Sequence, residues 1–318
     1  MTAPTSDGWQ PASTGVHLQT PCPLCGALVP LPDPPAGGGQ EPVGGGHARC
    51  STCHAIVPVT VASETDGDVE DRDESARRVA DEAVAAGSTV AWSLAEHLPA
   101  PGAGVTVVDL GMGRGGIANA LRRLGYTVTG CEPSAYLCQL ARASYLLGPE
   151  TLTNTDPLTF IGEVEARHGT VAGVVLWHVL DRHERPIDVL RGAVGIARGG
   201  MLLVQFEVAG TVPRGAARVH PTPATLLHLA EEFELIPVRA SVEGRRTLRA
   251  LFEVPVDGIV DLDHDNRLDL DALDAAYRLA SPVFAQLAPD PNAPVPSAPD
   301  PGADEAREPA NSRSSDGA

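Results

Sequence analysis

Lysine is absent from this 318-residue chain: all 23 basic residues are Arg. That excludes a Schiff-base lysine from any mechanism, and it reads otherwise as a GC-rich coding bias. No apolar run approaches eighteen residues, so no membrane-spanning helix is expected. The opening MTAPTSDGWQPASTG has no basic segment leading into an apolar stretch, which makes the cytoplasm the expected compartment. No dense basic patch appears, which argues against nucleic acid as a partner. Aromatic residues make up only 4 %.

Acidity is what the chain has in excess, with a net charge of −18. Residues 64–82 carry −6 of it and residues 257–318 carry −9, leaving −3 for the rest. The excess therefore belongs to a linker and a tail, around a nearly neutral body. A disordered lead-in is expected over 1–20, a four-cysteine module over 21–60 and an acidic linker over 61–75. The main domain follows over 76–256, then an acidic helical extension over 257–287 and a disordered tail over 288–318, rich in Pro, Asp and Ser. The ribbon module and the tail are the places where a protein partner could bind.

From Val105 to Pro255, β-branched apolar runs alternate with helical segments. Strands are expected at 105–110, 126–131, 171–177, 200–206, 235–242 and 247–254, with a weaker one at 151–155. Helices are expected at 115–124, 134–147, 157–168, 184–197 and 222–233. Strands separated by helices of that length form a parallel sheet covered on both faces. The last two are joined only by a turn near Gly244, too short for a parallel crossover, so one strand must run in reverse.

The strongest chemical signal is VTVVDLGMGRGGIANALRRLGYTVTGCEPS. A strand ends at Asp109, a turn carries Gly111, Gly113 and Gly115, and a helix follows. Glycine lets such a turn approach a ligand closely. The next strand ends at Glu132, where a carboxylate can accept both hydroxyls of a ribose. Gly111-x-Gly113-x-x-Gly116 also fits a dinucleotide fingerprint. Asp109 discriminates, because a carboxylate repels a pyrophosphate and attracts the ammonium and sulfonium of S-adenosylmethionine.

On these residues the segment 105–254 resembles the class I S-adenosylmethionine-dependent methyltransferases of the bacterial small-molecule type. VVDLGMGRGG is similar to that family's first motif, GCEPS to its second and TNTDPLTF to its third. VVLWHVLDRHERPIDVLRGAVGIARGGMLLVQFEV resembles the fourth strand, helix and Gly-Gly turn into the fifth strand. The resemblance implies a Rossmann-like, seven-stranded, mostly parallel sheet with an antiparallel closing strand. It also implies Asp156 near the adenine. Met112 departs from the small residue or cysteine common at that position.

Methyl transfer needs an in-line acceptor and, for a hydroxyl, a base. His178, after the fourth strand, and His220, before a helix, are the candidate bases; His178 could equally be a packing or capping histidine, and for His220 the structural reading is the favoured one. Trp177 could wall the adenine or the acceptor. After the fourth strand there is neither an Asn/Asp-Pro-Pro-aromatic sequence nor a Pro-Cys pair, which argues against chemistry on DNA bases. A small-molecule acceptor is the expectation. The alternatives are a catalytically silent cofactor-binding or interaction module, and an NAD-dependent oxidoreductase.

Cys22-x-x-Cys25 and Cys50-x-x-Cys53 have the spacing of two knuckles that hold Zn²⁺ with four thiolates in a closed structural site. Two disulfides are the alternative. His47 and His54 are spare donors. The acidic run from Asp261 to Asp271 imitates a calcium loop but has Ala272 where a bidentate carboxylate is needed; an acidic helix N-terminus explains it as well.

Overall fold

The computed structural model describes residues 19–30, 47–58, 66–102, 104–210, 217–244, 246–256, 268–281 and 283–284. The chain divides into two units, Met1–Leu287 and Ala288–Ala318, and every described residue lies in the first. The expectations of a disordered lead-in and tail fall almost wholly outside the described residues, as does most of the calcium-loop lookalike.

The main sheet has seven strands: β5 (Thr106–Leu110), β6 (Thr127–Cys131), β7 (Leu152–Thr153), β8 (Gly173–Trp177), β9 (Gly200–Glu207), β10 (Ile236–Glu243) and β11 (Thr247–Val254). Their order is β10-β11-β9-β8-β5-β6-β7. Strands β5, β8 and β9 are buried at every position, which explains their mostly apolar sequences; the exceptions, Thr106, Asp109, Gln205 and Glu207, are buried as well. β11 is antiparallel to both β9 and β10, while the remaining pairs are parallel. This is the α/β class expected, with one reversed strand. The chain order turns around between β5 and β8, and an open parallel sheet presents its ligand crevice at such a point.

Helices α2 (Gly116–Arg123), α3 (Ala135–Tyr145), α4 (Pro157–His168), α5 (Pro186–Ile196) and α6 (Pro223–Glu232) connect the strands. Helix α1 (Asp66–Ala95) lies across one sheet face, its Ala83, Val90, Ala91 and Leu94 packed with Val107, Val175, Trp177 and Leu203. It begins within the stretch expected to be an acidic linker. Acidic residues at a helix N-terminus suit the helix dipole, so charge density there does not exclude helix. α1 meets α2 closely because both contribute glycine: a Cβ on Gly87 would stand 2.7 Å from the Gly116 carbonyl oxygen.

The N-terminal module consists of two hairpins, β1 (Gln19–Pro21) with β2 (Leu28–Pro30), and β3 (His47–Arg49) with β4 (Ile56–Pro58). It is fastened to the main domain where Ile56 and His220 form an antiparallel bridge. Helix α7 (Leu270–Ala280), capped by Asp269, closes the described chain. Its buried Tyr277 donates to the Pro221 carbonyl at 2.9 Å.

Candidate cofactor cavity and four-thiol site

A cavity of about 260 Å³ opens at the C-terminal ends of β5, β6 and β8. Asp109, Gly111, Gly113, Glu132, Trp177 and His178 line it together. Val79, Ala80 and Ala83 of α1 form an additional apolar wall.

Two carboxylates, Asp109 and Glu132, line it together with His178, Arg182 and His183. Asp109 is 1 % exposed, and neither of its carboxylate oxygens has a hydrogen-bond partner among the described residues. Burial, reinforced by the charge of Glu132, pushes its pKa up to about 7. Glu132 accepts from the Gly113 N–H at 2.9 Å and the Ser134 N–H at 2.8 Å. It thereby ties the glycine turn to the end of β6, and burial raises its pKa against those two bonds. Gly111 and Gly113 have φ of 69° and 56°, where a side chain would be strained. Beside these two carboxylates a cation bearing hydroxyls is favoured over a phosphate.

The other residues expected at this site have different surroundings. Gly115 does not line the cavity; at φ 77° it makes the turn into α2. Asp156 is also off the lining. Its carboxylate caps α4, accepting from the Leu158 and Thr159 N–H groups and from the Thr159 hydroxyl. Trp177 is 3 % exposed, with the Arg249 guanidinium 5.1 Å from its ring centroid.

His178 borders the cavity, but both ring nitrogens face protein. Nδ1 lies 3.2 Å from Asp181 Oδ2; Nε2 lies 3.0 Å from the Gln205 amide nitrogen and 3.7 Å from Glu82 Oε1. Burial disfavours a charged ring, yet Asp181 and Glu82 outweigh it and hold the pKa up at about 9. The Gln205 amide opposes them, since Arg249 binds its oxygen at 2.8 Å and leaves its N–H side toward the imidazole. In the neutral ring Nδ1–H donates to Asp181 and Nε2 accepts from Gln205; in the protonated ring Nε2–H has only Glu82, at 3.7 Å, as an acceptor. Around it, Glu207 pairs with Arg78 and with Arg182, and its N–H donates to Asp181 at 2.9 Å.

His220 lies away from the cavity. It exchanges backbone hydrogen bonds with Ile56, its Nδ1 lies 3.2 Å from the Glu207 carbonyl, and its ring packs against His47. Burial pushes its pKa down to about 4. Sequence reasoning missed Glu82, Gln205 and Arg249. Gln205 and Glu82 stand 123 residues apart, and no local spacing announces their contact.

The four cysteines converge, with all sulfurs within 4.8 Å of one another. Cys22 and Cys53 are 3.6 Å apart and Cys25 and Cys50 3.5 Å. These separations are too long for a disulfide and close to the ~3.8 Å sulfur–sulfur edge of a tetrahedron with Zn–S bonds of about 2.3 Å. The two knuckles repeat one pattern: Cys22 N–H to Ala27 and Gly26 N–H to Cys22, then Cys50 N–H to Ala55 and His54 N–H to Cys50. His54 occupies the position of Gly26, at φ 61°. The Cys53 thiol stabilises a Cys22 thiolate, bringing its pKa down to about 5 against burial. The donor set fits a zinc ion.

No family model and no curated protein matches the sequence. Among solved structures the chain is similar to an O-methyltransferase family protein from Burkholderia thailandensis, with 16 % identity, TM-score 0.42, 60 % of this chain and 62 % of that one covered. It is also similar to 1,6-didemethyltoxoflavin-N1-methyltransferase from the same organism, with 16 % identity, TM-score 0.43 and coverage of 63 % and 96 %. A third is magnesium protoporphyrin IX methyltransferase from Synechocystis PCC 6803, with 17 % identity, TM-score 0.38 and coverage of 60 % and 85 %. The chain thus spans less than two thirds of the first of these. Among the described residues, no helix is long and apolar enough to cross a membrane.

Proposed function

We propose that this chain is an S-adenosylmethionine-dependent methyltransferase acting on a small-molecule acceptor in the cytoplasm, with a structural zinc ion in its N-terminal ribbon. The observation that carries the reading is Asp109: a buried carboxylate without a partner, beside Glu132, at the switch point of the sheet. Asp109 would take the cofactor's ammonium group and Glu132 its ribose hydroxyls, while the turn at Gly111 and Gly113 leaves room for the ligand. When bound, the cofactor supplies a methyl group on a sulfonium, which leaves as a neutral thioether.

The chain's own residues contribute orientation and exclusion of water. Val79, Ala80 and Ala83 close the apolar side of the cavity. His178 acts as a positioning residue, fixing the end of β8 through Asp181 and Gln205, because neither ring nitrogen is open to an acceptor. Asp156 supports the site by capping α4 rather than by direct contact. Cys22, Cys25, Cys50 and Cys53 would hold the zinc, with residues 21–60 forming the ribbon and 76–256 the transferase domain.

A second reading, cofactor binding without turnover, draws support from the two engaged ring nitrogens of His178 and from the place of His220 outside the cavity lining. Calorimetric titration with S-adenosylmethionine and, separately, NADH tests the cofactor. Binding of the first alone, lost in Asp109→Ala, is the expected result. Formation of S-adenosylhomocysteine with a pool of small acceptors separates enzyme from sensor.

A further inference from the structure

Asp109 and Trp177 occupy adjacent parallel strands. Asp109 stands beside Val175 in the β5–β8 register, and side chains two apart on a strand share a face. Trp177 therefore projects on the same face as Asp109, one pleat nearer the C-terminal edge, and both line the cavity. The indole nitrogen of Trp177 has no hydrogen-bond partner among the described residues, although the residue is only 3 % exposed. A buried N–H is costly to leave unpaired.

The ring is not free to seek a partner. The Arg249 guanidinium lies over it, fixed by Gln205 Oε1 at 2.8 Å, and the His178 ring meets it in a T-shaped contact with centroids 5.8 Å apart. Buried in the cavity wall, on one sheet face, thus stand a rigid donor and a carboxylate whose nearest backbone donor is Ala118. Donor and acceptor do not pair with each other. They complement a zwitterion whose negative end needs a neutral N–H and whose positive end needs an anion.

We infer that Trp177 and Asp109 clamp the α-amino-acid end of the cofactor, the indole N–H donating to its carboxylate and Asp109 accepting from its ammonium group. This rests on the cofactor reading above. It makes Trp177 a specificity-determining residue for the amino-acid moiety, in place of a wall for the adenine.

The chain has three tryptophans, so ¹H–¹⁵N spectra carry three indole signals, and replacing Trp9 and Trp92 in turn identifies that of Trp177. Titration with S-adenosylhomocysteine, which carries the amino-acid moiety, is expected to move the Trp177 signal downfield. 5′-Methylthioadenosine, which lacks that moiety, is expected to leave it in place. Trp177→Phe is expected to weaken S-adenosylhomocysteine about tenfold and leave methylthioadenosine unchanged. An unmoved indole signal in protein that binds S-adenosylhomocysteine overturns the inference, as does equal loss of both ligands in the Phe variant. Failure of the unaltered protein to bind S-adenosylhomocysteine overturns the cofactor reading itself.

Discussion

Ile56 and His220 exchange both backbone hydrogen bonds, at 2.9 and 2.8 Å, so a strand of the ribbon continues into the segment between β9 and α6. The Thr222 hydroxyl donates to the His54 carbonyl at 3.2 Å beside them. The Cys50–Cys53 knuckle lies directly before β4, and the segment it reaches holds His220, whose ring touches the carbonyl of Glu207 at the end of β9. A metal that fixes the knuckle therefore also fixes one end of the main sheet.

Metal removal should accordingly be felt beyond the ribbon. The purified protein is expected to carry one zinc per chain. Chelation, or Cys50→Ser, should lower the thermal midpoint and raise amide exchange at Ile56 and His220 at least tenfold, while amides of β5 and β8 stay protected. Unchanged exchange at those two amides in metal-free protein would refute the coupling.

Asp109→Asn should trade affinity for stability. Losing the charged partner of an ammonium group should weaken S-adenosylmethionine about 10- to 100-fold, the equivalent of some 1.5–3 kcal/mol. The ligand-free variant should nevertheless gain stability at pH 8. A carboxyl whose folded pKa is raised from 3.8 to about 7 binds more protons folded than unfolded between those values, so its contribution falls as pH rises through that window. Denaturation of both proteins at pH 5 and pH 8 checks the sign.

His178 acts in the same direction at higher pH. Its folded pKa of about 9 exceeds the ordinary 6.5, so its stabilisation is complete below pH 6.5 and disappears as pH passes 9. His178→Ala leaves Asp181 buried without its ring partner, and a loss of about 3 kcal/mol is expected, as for a broken buried pair. If the ring is a positioning group, S-adenosylhomocysteine should still bind the folded variant within about tenfold of the original affinity. Full retention of stability would remove the network from the account.

The sheet and the glycine turn after β5 were legible because their signals are local. Burial on both faces writes β5, β8 and β9 as largely apolar runs, and Asp109 and Glu132 stand one residue before the end of β5 and one residue after the end of β6. The histidines were not legible in the same sense. Sequence shows that His178 follows a strand, but the roles of its nitrogens depend on Glu82 in α1 and Gln205 in β9. His220 depends on Ile56 of the ribbon, far away along the chain. Asp156 shows the converse: its sequence position suits a ligand contact and an N-cap equally, and Pro157 at the first helical turn favours the cap.

Gly87→Ala separates helix propensity from packing. In an exposed helix the change gains about 1 kcal/mol, and Gly162→Ala in α4 or Gly195→Ala in α5, where an added Cβ meets nothing within 4 Å, should show that gain. At Gly87 the added carbon would stand 2.7 Å from the oxygen and 2.8 Å from the carbon of the Gly116 carbonyl. Backbone cannot step aside as a side chain can, so α1 must lift from α2, and a net loss of about 1–3 kcal/mol is expected. Lifting α1 also withdraws Val79, Ala80 and Ala83 from the cavity wall, so S-adenosylhomocysteine affinity should fall together with the urea midpoint. Stabilisation of Gly87→Ala equal to that of Gly162→Ala would mean that the two helices are not held at glycine-to-glycine distance.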